Sequence, residues 1–358
     1  MRIVLFVKDL NIGGVTKVVV NHINNVIRTD DEVLLLNWTG ENTGITDNTF
    51  KRNVVVHNLC FPWRTYSIYK INSFFAKRIE IKLINKVLLD FEPNIIHFHF
   101  TYLAWMSTFL YSKKTRRIMT FHCEVFGKNE NIISILLKRT LFYFFNRNTL
   151  FHFVSEVNNF YGNKRRDDTI TLGNAVGFNG FQKKKSVQDN IIYISRINHL
   201  KGHFFLLNAW KNLSIENYKL KLIGPDETGG EIVDFIKKNN IKNVELIGPV
   251  QDINPYLANA SFGIFPSLKE GSPVALLEML AAKLIVISSD IPEIKKVIPR
   301  DCLLYYHSED LTDLEKKILY VIKHKDELDE IANNGLKLVT KNYSFKVHRD
   351  IYQKLYNY

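Results

Sequence analysis

The sequence is poor in cysteine and proline and contains no long apolar run. It has 3 cysteines and 9 prolines among 358 residues. Cys60, Cys123 and Cys302 form no Cys-x-x-Cys pair and are too few for a disulfide framework, so a reducing compartment is expected. No stretch approaches the roughly 18 apolar residues of a membrane-spanning helix. The apolar stretch near the N-terminus is also too short for the core of a signal peptide.

The composition is that of a globular protein with an uneven positive charge. Hydrophobic residues make up 46% and charged residues 23%, which excludes a disordered chain. The length predicts two domains. Of the net charge of +12, residues 1–170 carry +9 and residues 171–358 carry +3. This asymmetry indicates either an anionic partner for the N-terminal half or a general solubility charge. The basic residues are scattered and match no nucleic-acid-binding signature, so no nucleic-acid partner is expected.

Short apolar runs rich in β-branched residues alternate with longer stretches of helical periodicity. The runs are apolar on both faces, which is typical of buried parallel strands. The predicted strands are Ile3–Val7, Val33–Leu36, Val54–His57, Ile95–Phe98, Ile118–Phe121, Phe151–Val154, Ile191–Ile194, Leu220–Ile223, Val244–Ile247, Phe262–Phe265 and Leu284–Ser288. The predicted helices are Thr16–Ile27, Ile71–Asp90, Phe204–Asn212, Glu231–Asn239 and Val274–Ala282. The alternation predicts an α/β fold with two doubly wound parallel sheets.

A weakly periodic segment, residues 172–190, separates the two sets of strands. It is interpreted as a linker between an N-terminal domain, 1–171, and a C-terminal domain, 191–343. The last segment, 344–358, is an amphipathic helix. It is too short to fold alone, so it must pack on a domain that has already formed.

The strongest chemical signal follows the strand that ends at Phe265. Its loop carries Glu270, and Ser272 and Pro273 are predicted as the cap and first residue of the next helix. Such a helix N-terminus attracts phosphate. Glu278 is the one charged residue in the apolar run of that helix, and its side chain leans back toward the loop. The alternative is that Glu278 is a satisfied core residue and Glu270 a surface one.

A second signal lies after the strand Ile191–Ile194. Arg196 and Lys201 share one loop, which can fold both cations onto a diphosphate. The sequence Lys201-Gly202 does not match the phosphate-binding loop Gly-x4-Gly-Lys-Ser/Thr, which argues against an ordinary nucleotide triphosphatase. The alternative is two solvated surface cations.

Two weaker signals lie in the N-terminal half. Gly13 and Gly14 follow the first strand, where glycine lets a ligand approach the backbone closely. His122 ends another strand and can contact a sugar or a phosphate. His97 and His99 alternate along a strand; because no third metal ligand is evident, they are interpreted as structural.

In this order the motifs resemble those of the retaining GT-B glycosyltransferases of family 4, over nearly the whole chain. The most specific of them is Pro266-Ser followed by Glu270-x7-Glu278. The others are Gly13-Gly14, His97-x-His99, His122, Ser195-Arg196, Lys201-Gly202, Leu246-Ile-Gly248 before Asp252, and Ile291-Pro292-Glu293. The resemblance implies two Rossmann-like domains facing a central cleft and a C-terminal helix, 344–358, that returns to the N-terminal domain.

The resemblance also implies roles for individual residues. Arg196 and Lys201 would bind the donor diphosphate, Glu278 the ribose, and Glu270 the donor sugar. His122 would contact the donor sugar as well, and Val250 would lie beside the base. The remaining donor-binding candidates, with Gly14 as a backbone amide near the phosphates, are Gly13, Gly14, Asn174, Gly271, Ser272 and Val274.

Three departures from the family pattern leave the donor sugar open. Ala175 replaces a glycine after Asn174, and Lys283 replaces a glycine later in the donor motif. The usual Glu-Gly-Phe-Gly is Glu-Gly-Ser-Pro here, and Pro273 has no N–H to offer a phosphate. Glu-Gly-x-Pro resembles a variant of bacterial polysaccharide enzymes.

The expected activity is transfer of a hexose or N-acetylhexosamine from a nucleotide-sugar to a saccharide acceptor in cell-surface polysaccharide synthesis. UDP-sugars are favoured as donors, with GDP-mannose as the other donor considered. No Asp-x-Asp occurs, so neither a metal nor a cofactor is expected, and two cations and a helix N-terminus would stabilise the leaving group. The resemblance implies retention of configuration by front-face attack. The alternatives are a GT-B nucleotide-sugar 2-epimerase and a basic, non-catalytic binding protein.

A lipid-linked acceptor and an anionic membrane surface are the expected partners of the basic N-terminal half. The stretch Ile132–Phe153 combines Lys138, Arg139 and Arg147 with aromatic residues, as membrane-surface helices do. Its alternative interpretation is an ordinary buried helix. The expected location is cytoplasmic, at the inner face of the plasma membrane.

Overall fold

The structure is a computed structural model. The residues it describes are 1–46, 49–59, 73–99, 115–122, 136, 140, 148–156, 168–177 and 189–356, with side chains not described for 73–81. Most of the basic stretch 132–153 and of the predicted linker 172–190 therefore lies outside the described residues. Among the described residues, no helix combines the length and the apolar character needed to cross a membrane.

The chain forms two compact units. The N-unit comprises Met1–Asn174 together with His348–Tyr358, and the C-unit comprises Ala175–Val347. Each unit is built around one sheet in which every described strand pair is parallel. The strands are β1 Arg2–Val7, β2 Glu32–Asn37, β3 Val54–Asn58, β4 Ile95–Phe98, β5 Arg116–Phe121, β6 Thr149–Phe153, β7 Thr169–Thr171, β8 Asp189–Ile194, β9 Tyr218–Ile223, β10 Val244–Gly248, β11 Ala260–Phe265, β12 Val286–Ser289 and β13 Leu304–Tyr306.

Helices connect these strands on both faces of the sheets. The described helices are α1 Gly14–Asn25, α2 Ser73–Phe91, α3 His203–Leu213, α4 Glu231–Lys238, α5 Asn254–Ala258, α6 Val274–Ala281, α7 Pro292–Lys295, α8 Leu311–His324, α9 Asp329–Asn342 and α10 Phe345–Tyr356. Two short 3-10 turns, His199–Lys201 and Lys325–Glu327, precede α3 and α9.

The two sheets share one strand order. The N-unit sheet runs β3-β2-β1-β4-β5-β6-β7 and the C-unit sheet runs β10-β9-β8-β11-β12-β13. In each sheet the order reverses beside the first strand, between β1 and β4 and between β8 and β11. Such a switch point opens a crevice at the carboxyl ends of the strands, where α/β proteins bind ligands. The two Rossmann-like sheets confirm the predicted fold class.

Alternation along the N-unit strands divides their side chains between two cores. Val4 and Phe6 of β1 belong to one core, and Ile3 and Leu5 belong to the other. The second core also contains Tyr352 and Tyr356 of α10, both buried. The C-terminal helix is therefore an integral part of the N-unit core.

All eleven predicted strands are present, and the predicted helices are present within a few residues of their bounds. The prediction missed β7 and β13, each of three residues, because so short a run has no readable periodicity. It also missed α5, α7, α8 and α9.

Candidate functional site

The C-unit places most of the predicted site residues in loops at the carboxyl edge of its sheet. One loop, residues 195–202, follows β8, and another, residues 266–273, follows β11. Because β8 and β11 are neighbours at the switch point, these two loops meet. Lys201 lies in the first loop and Glu270 in the second.

Lys201 and Glu270 form a direct ion pair. The Lys201 Nζ donates to Glu270 Oε1 at 2.7 Å and lies 3.4 Å from the backbone oxygen of Lys269. The side chains are only 17% and 7% exposed, so water screens the pair less than it would screen a surface pair. Glu270 is thus not the surface residue of the alternative interpretation. The pair offers a cation and a carboxylate side by side, as a phosphate next to a hydroxyl-rich sugar requires.

Backbone contacts fix the distance between the two loops. The amide of Leu268 donates to the carbonyl of Leu200 at 2.9 Å. Gly202 has φ of +69°, and a Cβ on it would lie 2.1 Å from the backbone oxygen of Pro266. Only glycine fits this close approach in the left-handed region. The loops are therefore packed against each other just below the Lys201–Glu270 pair.

Arg196 has a different partner. Its Nη1 donates to Glu227 Oε1 at 2.8 Å, and the side-chain Nδ2 of Asn198 donates to Glu227 Oε2 at 2.8 Å. The Arg196 side chain is 55% exposed. The structure therefore pairs Arg196 and Lys201 with separate carboxylates rather than with a common one. Sequence reasoning missed Glu227; the signal that could have revealed it is its place in the loop directly after β9.

The start of α6 differs from the prediction. The helix begins at Val274 and Pro273 is its N-cap, so the assignment of Ser272 as cap and Pro273 as first residue was wrong by one position. The reason is local: the Val274 amide donates to the carbonyl of Ser272 at 2.9 Å, and the Leu277 amide to the carbonyl of Pro273 at 3.0 Å. Gly271, Ser272 and Val274 are half-buried around this helix start.

The remaining C-unit candidates lie around the same edge. Glu278 is the fifth residue of α6 and is half-buried. Val250 follows the end of β10, is half-buried, and packs against the C-unit core. These positions are those of loops and helix starts at the carboxyl ends of strands. The roles of both residues stay predictions.

The N-unit holds the other candidates. Gly13 is the N-cap of α1 and Gly14 its first residue. A Cβ on Gly14 would meet no described atom within 4 Å, so packing among the described residues does not require glycine there. Asn174 is buried after the end of β7.

His122, which is half-buried, belongs to a cluster of imidazole rings where β4, β5 and β6 of the N-unit end. Its Nε2 lies 3.1 Å from Nδ1 of His99, whose own Nε2 has no partner among the described atoms. Hydroxyl groups link three of the other rings: Tyr356 bridges His22 at 2.7 Å and His97 at 3.1 Å, and Thr120 bridges His97 at 2.7 Å and His152 at 2.8 Å. The cluster consists of His22, His97, His99, His122, His152 and His348.

Burial controls the charge of this histidine cluster. It lowers the pKa of His22, His122 and His348 to about 3 and that of His152 to about 4. The pKa of His97 and His99 is also well below the ordinary value, through burial and then the neighbouring rings. The rings are therefore neutral near pH 7. No group of three or more metal-ligating side chains among the described residues has the geometry to hold a metal ion.

The C-unit segment that carries the two loops is similar to a known sequence family. A sequence model of the family "Glycosyl transferases group 1" matches residues 188–324, which include the loops after β8 and β11. An uncharacterised glycosyltransferase of Methanocaldococcus jannaschii is 24% identical over 348 residues, covering 94% of this chain and 92% of the relative.

Two relatives with more specific names match parts of the chain. The capsular polysaccharide biosynthesis glycosyltransferase CapH of Staphylococcus aureus is 32% identical over 132 residues, 34% of this chain and 37% of CapH. An alpha-1,4-N-acetyl-D-galactosaminyltransferase of Campylobacter jejuni, named for a saccharide on PP-undecaprenol, is 28% identical over 161 residues. That match covers 43% of this chain and 44% of the relative.

Solved structures show the same fold along the whole chain. HepE of Anabaena, in complex with UDP and glucose, has a TM-score of 0.80 at 14% identity and covers 100% of both chains. Sucrose-phosphate synthase of Thermosynechococcus elongatus has a TM-score of 0.79 at 15% identity, covering 99% of this chain and 98% of the synthase. The chain therefore has the GT-B fold, and residues 188–324 of its C-unit are similar to the glycosyl transferases group 1 family.

Proposed function

We propose that this chain is a retaining, metal-independent glycosyltransferase that moves a hexose or N-acetylhexosamine from a nucleotide-sugar to a saccharide acceptor. The observation that carries the proposal is the Lys201–Glu270 pair, held at 2.7 Å at the switch point of the C-unit sheet. It lies inside the segment that matches the glycosyl transferases group 1 family. UDP-sugars are the favoured donors because HepE, which shares the fold, holds UDP and glucose; GDP-mannose is the second donor to test.

The pair supplies what the departure of a nucleoside diphosphate requires. When the bond to the anomeric carbon breaks, negative charge grows on the diphosphate. A fixed ammonium group stabilises that charge more in the transition state than in the ground state. The Glu270 carboxylate holds the Lys201 ammonium in place, and its second oxygen can accept a hydrogen bond from a hydroxyl of the donor sugar. Arg196, which follows β8 on the same loop, adds a planar donor set for the phosphates once it leaves Glu227.

The N-unit would contribute close approach and neutral hydrogen bonding. The described residues leave open space where a Cβ of Gly14 would lie, which is the arrangement that a phosphate touching the backbone needs. His122 is neutral near pH 7 and would hydrogen-bond a sugar hydroxyl rather than neutralise a phosphate. Asn174 and Gly13 remain candidate donor-binding residues on this unit.

The ends of the nucleotide would lie against the C-unit. Glu278 would accept hydrogen bonds from the ribose hydroxyls, and Val250 would contact the base. The amides at the start of α6, near Gly271, Ser272 and Val274, would face the phosphates, since the first N–H groups of a helix lack intrahelical partners. In retention by front-face attack, the leaving phosphate accepts the proton of the acceptor hydroxyl.

The acceptor is proposed to be lipid-linked and part of a cell-surface polysaccharide. The names of two relatives support this, one by capsular polysaccharide and the other by a saccharide on PP-undecaprenol. The net charge of +9 in residues 1–170 would favour an anionic membrane surface. The proposed location is accordingly cytoplasmic, at the inner face of the plasma membrane.

A donor screen by thermal shift tests the proposal. UDP-sugars and GDP-sugars are compared at matched concentrations, and only the sugars of one nucleotide should raise the melting temperature of the protein. A ligand at 100 times its Kd stabilises by about 2.7 kcal/mol. Arg196→Ala and Lys201→Ala should each abolish most of the shift. Lys211→Ala, which removes a C-unit lysine that donates to Asn239 Oδ1 at 3.0 Å, should retain it.

Product analysis separates the proposal from its competitors. Transfer should continue in the presence of EDTA, and NMR of the product should show the donor's anomeric configuration. Epimerised nucleotide-sugar formed without acceptor would favour an epimerase instead. Co-sedimentation with anionic but not neutral vesicles would support the membrane location, and equal binding to both would reject it.

A further inference from the structure

A buried hydroxyl network lies beneath the Lys201–Glu270 pair. Tyr193, the penultimate residue of β8, is fully buried. Its hydroxyl donates to the backbone oxygen of Lys201 at 2.7 Å and lies 3.0 Å from the hydroxyl of Ser267. One side chain thus touches both loops of the site, one on each side of the switch point.

The network continues across the sheet. Ser267 is also fully buried, and its backbone oxygen accepts a hydrogen bond from the Ser289 hydroxyl at 2.5 Å. Because Ser289 ends β12, the network joins the carboxyl ends of β8, β11 and β12. A buried network with all its members paired makes a local geometry rigid.

The Tyr193 hydroxyl keeps its proton in this environment. Burial raises the pKa of the phenol, and the negative charge of Glu270 raises it further. The hydroxyl is therefore a constant donor to the Lys201 carbonyl. The Ser267 hydroxyl in turn donates to the Tyr193 oxygen, since that oxygen's own proton is used.

We infer that Tyr193 is a positioning residue that sets the place of Lys201 relative to Glu270 by hydrogen-bonding both of their loops. The inference rests on the proposed function in one respect: it takes the Lys201 ammonium to act on a diphosphate. Tyr193 itself lies below the loops, is fully buried, and acts through Lys201.

Hydrogen–deuterium exchange of the ligand-free protein tests the first half of the inference. Tyr193→Phe removes only the hydroxyl and should speed exchange in residues 196–203 and 266–271. Tyr306→Phe is the matched control, because Tyr306 is equally buried in the same unit and its hydroxyl has no partner among the described atoms. It should leave exchange in both loops unchanged. Unchanged exchange in Tyr193→Phe would overturn the inference.

A double-mutant cycle tests the second half, with UDP as the probe in calorimetry. Tyr193→Phe should weaken UDP binding about three- to tenfold, the usual effect of one lost hydrogen bond. In a Lys201→Ala background the same substitution should have no further effect, because it acts through Lys201. Additive losses would mean that the hydroxyl has only a general structural role, and the inference would fail.

The two proposals fail separately. If the wild-type protein binds neither UDP nor GDP, the proposed function loses its support, and the exchange experiment still decides whether the Tyr193 hydroxyl holds the loops. If the wild-type protein binds UDP and Tyr193→Phe binds it equally well, the inference is wrong and the proposed function stands.

Discussion

The two sheets have the same strand order through their first six strands, but different types of side chain lie at their carboxyl edges. In the C-unit, the edge carries permanent charges in pairs, Lys201 with Glu270 and Arg196 with Glu227. In the N-unit, imidazole rings occupy the corresponding region, and their hydrogen-bond partners are hydroxyls, a backbone carbonyl and other rings. Burial keeps these rings neutral.

The difference indicates which kind of chemical group each edge can bind. A diphosphate needs cations that stay charged, and lysine and arginine do so over the whole physiological range. A sugar hydroxyl needs a neutral donor or acceptor, which a buried histidine provides. The C-unit edge is therefore suited to charged groups, and the N-unit edge to uncharged ones.

The largest expected effect comes from removing charge at the C-unit edge. Lys201→Ala should lower the rate of transfer roughly 10²- to 10³-fold, as loss of one electrostatic stabiliser does. Lys211→Ala should keep the wild-type rate.

Lys201→Ala also leaves Glu270 buried without its cation, which lowers stability. The neutral double variant Lys201→Met/Glu270→Gln separates the two effects, because it should fold like wild type and still lack activity. If the double variant transferred sugar at the wild-type rate, the charges of Lys201 and Glu270 would not be needed for transfer.

The second effect is geometric. Gly202 and Gly229 have almost the same φ, +69° and +68°, but a Cβ on Gly229 would meet no described atom within 4 Å. Gly229→Ala should therefore lower the free energy of unfolding by about 1–2 kcal/mol, which is the cost of placing an alanine in the left-handed region. Gly202→Ala should cost about 1–3 kcal/mol more, because the Pro266 loop must move. Urea unfolding measures both, and equal losses would mean that the loop contact is not tight.

The third effect concerns the N-unit edge and depends on pH. The pKa of His348 is about 3 in the folded protein against 6.5 in the unfolded chain, so only the unfolded chain gains the proton between these values. The free energy of unfolding should therefore fall as the pH drops below 6.5, by about 2 kcal/mol at pH 5 for this group alone.

His348→Leu should make the pH dependence of unfolding shallower between pH 6.5 and 5. It should be tolerated at pH 7.5, since it also removes a buried Nε2 that has no partner among the described atoms. The exposed His57→Leu is the matched substitution and should leave the slope of the wild type. A His348→Leu slope equal to that of wild type would contradict the neutral cluster.

The smallest effect refines the charged edge. Glu227→Ala removes a carboxylate that competes with a phosphate for Arg196 and should tighten UDP binding up to about fivefold, since exposed pairs contribute roughly 0.2–1 kcal/mol. Glu245→Ala is the control, because its partners Lys219 and Lys221 lie on the C-unit but outside the candidate site. Weaker binding by Glu227→Ala would instead make Glu227 a residue that orients Arg196.

The sequence predicted what local pattern determines. β-branched apolar runs revealed the long strands, and the place of Arg196, Lys201 and Glu270 after strands indicated the edge on which they lie. The contacts of the site residues could not be predicted from the sequence, because the partners are far apart along the chain. Arg196 contacts Glu227, 31 residues away, and Tyr193 contacts Ser267, 74 residues away. Such pairings depend on which strands become neighbours.

The histidine cluster shows the same limit in the N-unit. The alternation of His97 and His99 was visible and was interpreted as structural. That four further rings from separate elements join them depends on how the helices pack on the sheet, which no local spacing encodes.

The place of α10 has a consequence for the order in which the protein is made. Tyr352 and Tyr356 are synthesised after all of the C-unit, yet they belong to the same core as Ile3 and Leu5 of β1. The Arg349 guanidinium, which donates to the backbone oxygen of Asn25 at 2.7 Å, joins the same late segment to α1. Synthesis of the N-unit thus begins before that of the C-unit and ends after it. A stop codon before the final turns of α10 would remove two buried tyrosines and leave the core around β1 open to water.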